Sequence, residues 1–243
     1  LQKACEILKS LKNIKFSGIS CHIGSQISKL IIYEKIFSKM KKAIEIIESN
    51  SLQIENLNLG GGLSVDYNDR KNQFEINKLS KLLEDKYPKS SYNISFEPGR
   101  YLVANSGYLI TKILTTKKNG DINFLITDAG MQTFLRPSMY KVFHRILSFN
   151  QNEKKMIYTI AGPICESSDF FAKNIKLPIQ KKDDFLIICD VGAYGSVMAS
   201  NYNSKCLPAE VLINKKEYAI IRDKENIENI IQRDLLPYWL KKN

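Results

Sequence analysis

Strand and helix patterns alternate over residues 1 to about 105 of the chain, and there the alternation stops. "LQKACEILKSLK" has helical spacing, and "IKFSGISCHIG" reads as a strand ending in glycine. Residues 28 to 49 carry Ile32, Ile36, Met40, Ala43, Ile44 and Ile47 at helical intervals. "LQIENLNLGGG", "FEINKLSKLLEDKY" and "YNISFEPGR" then read as strand, helix and strand. Strands separated by helices pair in parallel, because a parallel pair needs a long crossover. After "VANSG" the pattern turns β-rich: "GYLITKILTTKK", "INFLITDAG", "MIYTIAG" and "DFLIICDVG", each bounded by turn residues. The expectation is an α/β part over 1–105, then a mainly antiparallel β-barrel or sandwich domain over 106–243 with a closing helix at roughly 224 to 240.

Three parallel strands leave open edges and an uncovered core face. A (β/α)8 TIM barrel needs eight strands and about 250 residues. The first part is therefore expected to be either a small open sheet or the C-terminal part of such a barrel. The chain opens on Leu1 rather than Met, which leads us to expect a piece of a longer protein.

The glycine run 60–62 chooses between these two. Glycine gives up more backbone entropy on folding than any other residue, so three together need a reason. In TIM barrels a phosphate is often held by the loops after the last two strands. Here the last two strands end in "GGG" and "EPGR". Backbone N–H groups of Gly60, Gly61 and Gly62 can approach an anion, and Arg100 can offer a bidentate fork. His22, at the end of the first strand, can lie flat over an aromatic ring, and Ser25 can donate a hydroxyl to a phosphate. Glu97 ends the third strand, where a carboxylate can hold a pyridinium N–H by stabilising the cation. A protonated pyridine ring is the electron sink of pyridoxal phosphate.

Charge and composition point away from other classes. The net charge is +11, but the lysines are scattered over helices and loops, so they read as solvated faces rather than a nucleic-acid surface. No apolar run approaches the roughly 18 residues of a membrane span. Five cysteines at irregular spacing indicate free thiols in a reducing, cytoplasmic setting. With only His22 and His144, and no CxxC pair, no metal site is expected.

Six segments, "CHIGSQ", "NLGGGLSVDY", "FEPGRYLVANSG", "DAGMQTFLRPSMY", "GPICESSDFFAK" and "DVGAYGSVMASNYNSKCLPAEVLI", occur in the order found in one family. They resemble the diaminopimelate decarboxylases of the alanine-racemase-like, fold-type III pyridoxal-phosphate enzymes. The resemblance implies decarboxylation of meso-2,6-diaminopimelate to L-lysine and CO2. It implies that His22 stacks on the cofactor ring and Glu97 meets its nitrogen. Gly60, Gly61, Gly62, Gly99, Arg100, Ser25 and Tyr194 would surround the cofactor, mostly at its phosphate. Arg136 and Tyr140 would grip the distal carboxylate of the substrate, with Arg100 and Tyr194 near it, and Glu166 would take the distal ammonium. Cys165 would line the site near the reacting carbon, so that Cys165, His22 and Glu97 form the catalytic set. In this family the "CES" loop reaches the neighbouring subunit's site, which implies a homodimer. Away from these motifs, Arg136 and Glu166 would read as an ordinary surface ion pair.

One part of the family pattern has no match. The Schiff-base lysine sits in a segment of the form aromatic-Ala-x-Lys, which this sequence lacks. Lys15 stands at the wrong end of its strand, and Lys112 and Lys117 fall in the β domain. The expectation is an inactive fragment whose N-terminal portion is absent. The alternatives are a non-catalytic homologue serving as a binding or dimerisation module, and a sister decarboxylase for ornithine or arginine.

Overall fold

A computed structural model describes residues 1–69, 71–88, 92–150 and 152–240, which divide into two units, Leu1–Ala104 and Asn105–Asn243. The first unit runs α1 (Gln2–Ser10), β1 (Gly18–Ser20), α2 (Leu30–Ser49), β2 (Asn56–Gly61), α3 (Ile76–Lys86), β3 (Asn93–Glu97) and α4 (Gly99–Val103). Its three strands pair in parallel in the order β1-β2-β3. All three C-terminal ends therefore lie along one edge of the sheet.

Helix α2 explains why the sheet holds. It buries Tyr33, Ile36, Phe37, Met40, Ile44 and Ile47, one stripe at helical spacing. Phe37 meets Tyr87 and Phe96 edge-on, and Tyr33 meets Phe74 at 5.4 Å between ring centroids. From the sheet, Leu57 and Leu59 of β2 point into the same core. Each such fully buried side chain contributes about 1.5–3 kcal/mol. Asn58, between those leucines, takes the opposite face, as strand periodicity requires.

The second unit contains β4 (Tyr108–Asn119), β5 (Ile122–Thr127), α5 (Arg136–Tyr140), β6 (Ile146–Ser148), β7 (Lys155–Ala161), β8 (Phe170–Pro178), β9 (Phe185–Cys189), β10 (Glu210–Asn214), β11 (Glu217–Arg222) and α6 (Ile227–Ile231). Six strands form a sheet ordered β6-β9-β4-β5-β7-β8. Every neighbouring pair is antiparallel except β5 with β7. The end strands β6 and β8 approach one another, so the sheet nearly closes on itself. Ile113, Leu125, Ile160, Leu186 and Ile188 fill its interior. Strands β10 and β11 form a separate hairpin whose side chains are almost all exposed.

Two expectations need correction. The closing helix is a five-residue turn, Ile227–Ile231, and a short 3-10 segment at Tyr238–Leu240. Asn226 and Asn229 cap its start reciprocally, but Pro237 has no N–H and biases Leu236 away from the helical region. Ile227, Ile231 and Leu235 keep helical spacing yet are exposed, and a short helix without a packed stripe is marginal. Strands β6, β8, β10 and β11 were not among the expected strands; three-residue β6 is too short to show a period. No helix among the described residues is long and apolar enough to cross a membrane.

Candidate active site

The strand ends of the first unit gather the expected groups along one edge. Cys21 extends the ladder past β1 by donating to the Asn58 carbonyl at 3.0 Å, which delivers His22 onto the edge. The Gly61 N–H donates to His22 Nδ1 at 3.3 Å, so the neutral ring carries its proton on Nε2. The Gly60 N–H is likewise engaged, by Asn58 Oδ1 at 2.8 Å. What glycine supplies at these two positions is room rather than a free donor. Gly60 has φ +71°, and a Cβ there would collide with the Cys21 carbonyl oxygen. A Cβ on Gly61 would strike the Glu97 carbonyl, and one on Gly62, at φ +87°, the Gly24 carbonyl. The run is glycine because three backbones cross at this spot.

Glu97 is exposed at the end of β3, and Asn58 Nδ2 donates to its Oε1 at 2.6 Å. Arg100, one turn on, donates from Nη1 to the Tyr67 hydroxyl at 2.9 Å and from Nη2 to Ser25 Oγ at 3.1 Å. One edge thus presents a carboxylate, an imidazole, a guanidinium and a hydroxyl. Around Gly99 a Cβ would meet nothing within 4 Å. Lys15 pairs with Glu55 at 2.9 Å, before the start of the strands and away from this edge.

In the second unit α5 begins at Arg136, with proline in its first turn. Arg136 is only 4% exposed. Its Cζ lies 5.6 Å from the ring centroid of Tyr140, one helical turn on, and 5.9 Å from that of Tyr194. Tyr194 adopts φ +62°, a left-handed conformation that disfavours a bulky side chain by about 1–2 kcal/mol. Strain of this kind persists where a site fixes the side chain. The "GAYG" turn thereby sets one wall against the guanidinium, and α5 sets the other.

The loop between β7 and β8 carries Cys165, an exposed free thiol, and Glu166. Glu166 Oε1 accepts from the Ser168 N–H at 3.2 Å and from the hydroxyls of Ser168 and Ser167. Its Oε2 accepts from the Tyr202 hydroxyl at 3.3 Å. These bonds, the Ser168 N–H foremost, hold the Glu166 carboxyl below the usual range and keep it charged at neutral pH. Lys112 pairs with Asp183 at 2.7 Å within the sheet. The structure thus brings together His22, the glycines, Glu97, Arg100 and Ser25 in one unit, and Arg136, Tyr140 and Tyr194 in the other. Asn58, Tyr67 and Tyr202 were missed. Each orients a predicted residue from a neighbouring element, a relation that sequence spacing does not display.

Residues 27–192 match the family model for the pyridoxal-dependent decarboxylase C-terminal sheet domain. The chain belongs to the pyridoxal-dependent decarboxylases. It is 35% identical over 235 residues to the diaminopimelate decarboxylase of Aquifex aeolicus, covering 96% of this chain and 56% of that protein. The crystal structure of diaminopimelate decarboxylase from M. jannaschii in complex with L-lysine superposes with a TM-score of 0.91 at 33% identity, covering 98% of this chain and 56% of that one. A lysine/ornithine decarboxylase from Vibrio vulnificus shares the fold at 23% identity, with a TM-score of 0.76, covering 84% of this chain and 56% of that one. The chain therefore spans a little over half the length of the relatives it matches. Pyridoxal phosphate is the cofactor of this decarboxylase family, and the strand-edge donor set fits it. A pyridoxal-phosphate ring needs an anion for its nitrogen, a flat face to lie against, and a cation with hydroxyl donors for its phosphate. Glu97, His22, and Arg100 with Ser25 and Tyr67 are groups of those kinds on one edge.

Proposed function

We propose that the full-length protein carrying these residues releases CO2 from meso-2,6-diaminopimelate to give L-lysine. The observation that carries this reading is Arg136, a permanent cation buried between two tyrosine rings. Its fork matches a carboxylate in two parallel hydrogen bonds. The far end of the substrate is a zwitterion, and recognising it takes one cation and one anion. Arg136 is the cation, and Glu166, held ionised, is the anion for the distal ammonium. An ornithine-like substrate has no distal carboxylate for Arg136 to bind. Pyridoxal phosphate, when bound, supplies the electron sink for C–C cleavage. Glu97 orients its ring by the nitrogen, His22 covers one face, and Arg100 with Ser25 holds its phosphate. Cys165 stands near the reacting carbon. A steady-state assay of the full-length protein should show cofactor-dependent lysine formation. Turnover of ornithine or arginine, with none of diaminopimelate, would move the assignment to a sister enzyme.

In the same reading, residues 1–105 are the last β/α units of a TIM barrel and 106–243 the C-terminal β domain. The Schiff-base lysine then lies outside these 243 residues, and the protein acts in the cytoplasm. Gly99→Ala tests the phosphate assignment. The open space around it means stability should change by no more than about 0.5 kcal/mol. Cofactor affinity, read by absorbance titration of the full-length protein, should fall about tenfold, or 1.4 kcal/mol. Unchanged affinity would remove Gly99 from the cofactor set.

We infer further that the Cys165–Glu166 loop serves the site of a partner subunit in a homodimer. Mixing a Glu166→Ala protein with one lacking the Schiff-base lysine restores one native site per heterodimer. Random exchange should recover about a quarter of wild-type activity. No recovery after verified subunit exchange would put Glu166 in its own subunit's site.

A further inference from the structure

Beneath the Cys165–Glu166 loop lies a carboxylate that none of the roles above uses. Asp169 is 3% exposed. Its Oδ1 accepts from the Met131 N–H at 2.7 Å, and its Oδ2 from the Ile164 N–H at 3.2 Å. Its own backbone closes the loop at both ends: the Gly162 N–H donates to the Asp169 carbonyl at 3.0 Å, and the Asp169 N–H to the Glu166 carbonyl at 3.1 Å. Two glycines make room for the carboxylate. A Cβ on Gly130 or on Gly162 would collide with both of its oxygens.

A buried carboxylate is costly unless hydrogen-bonded. Burial pushes the Asp169 carboxyl up, the Met131 and Ile164 N–H groups draw it back, and nearby Glu166 adds to the upward push. An apolar residue of similar size would avoid that cost, so the carboxylate is there for what it ties together. It ties two loops. One is the Gly130–Met131 turn; the next residue, Gln132, accepts from the Ser200 N–H at 2.9 Å through its carbonyl. The other is the loop carrying Cys165 and Glu166. Tyr202, two residues past Ser200, closes the ring by donating to Glu166. Three loops thus form a circuit, and the Asp169 side chain bonds two of them through backbone N–H groups. Its bond to Ile164 falls on the residue immediately before Cys165.

We propose that Asp169 is a positioning residue, a buried clamp that fixes the Cys165–Glu166 loop against the Gly130–Met131 turn and so sets where that thiol and carboxylate stand. This rests on the decarboxylase reading for its catalytic consequence, but the clamp itself can be tested without substrate. Asp169→Asn in the full-length protein keeps the volume, yet its amide nitrogen cannot accept an N–H. Hydrogen exchange at whichever of the Met131 and Ile164 amides loses its acceptor should then accelerate at least about tenfold. The reaction of Cys165 with a neutral disulfide reagent should change several-fold in rate. For diaminopimelate, kcat/KM should fall by about one to two orders of magnitude, while the cofactor absorbance stays near wild type. A wild-type protein that does not turn over diaminopimelate would sink the decarboxylase reading, and the exchange and thiol measurements would still decide the clamp. Gly130→Ala, which displaces the carboxylate without removing it, should reproduce the same pattern. Unchanged amide exchange in Asp169→Asn would overturn the proposal. So would faster exchange with unaltered thiol kinetics, or failure of both variants to fold, which would make the group purely structural.

Discussion

Replacing Gly60 by alanine is expected to destabilise the parallel-sheet unit by about 2–5 kcal/mol. Two effects add. Gly60 sits at φ +71°, where a Cβ clashes with its own backbone, and that Cβ would also run into the Cys21 carbonyl oxygen. Neither can relax cheaply. The Gly60 N–H is tied to Asn58, and the Cys21 N–H is tied to the Asn58 carbonyl, so moving one strand end drags the other. Urea denaturation of the full-length protein, followed by circular dichroism and by cofactor release, measures the loss. Gly99→Ala, in open space at the next strand end, is the matched control, and in the cofactor-free protein it should unfold with the wild type by circular dichroism. A wild-type midpoint for Gly60→Ala would show that the turn can rearrange, and would return the glycine run to a role in ligand approach alone.

Arg136→Ala is expected to lower kcat/KM for diaminopimelate by one to two orders of magnitude, since a hydrogen bond to a charged group contributes about 1.5–3 kcal/mol. Cofactor absorbance should survive, because Arg136 does not belong to the strand-edge set. Some thermal stability should be lost as well, because the guanidinium packs against Tyr140 and Tyr194. Arg136→Lys separates the two contributions. It keeps the charge but loses the planar fork and the stacking, so the kinetic defect should persist. Unchanged kinetics in Arg136→Ala would remove this residue from substrate recognition.

The β/α alternation was legible because α2 and the strands around it are strongly periodic. Ile36, Met40, Ile44 and Ile47 announce one buried face, and all four are buried. Strands β4, β5, β7 and β9 were legible as apolar runs bounded by turn residues. Strand β8 was not. Its run "FFAKNIKLP" has lysines at exposed positions, and register shifts break its pairing with β7. The closing helix was over-read because apolar spacing at Ile227, Ile231 and Leu235 reports a stripe, and no core receives that stripe.

For the site, the strand-end groups could be placed because topology alone puts strand C-termini on one edge. Their supports could not. Asn58 reaches Glu97 across neighbouring strands, 39 residues apart, and Tyr67 reaches Arg100 from the loop after β2, 33 residues away. The glycine run was expected to serve an anion through its N–H groups. Two of those groups turn out to bond side chains, because close crossing of backbones and close approach of a ligand leave the same mark in a sequence.

The order β6-β9-β4-β5-β7-β8 also governs how this unit can be born. Strand β4 folds onto β5 at once through a two-residue turn, but Tyr108 on its other edge pairs with Cys189, 81 residues further along the chain. At roughly 5–20 residues per second of translation, that partner emerges about 4–16 s later. Throughout that interval β4 offers an unsatisfied backbone edge beside the ribosome, of the kind that recruits neighbouring nascent chains. Slowing synthesis between residues 119 and 185 should therefore lower soluble yield without altering the native state, and a chaperone that shields the β4–β5 hairpin should restore it.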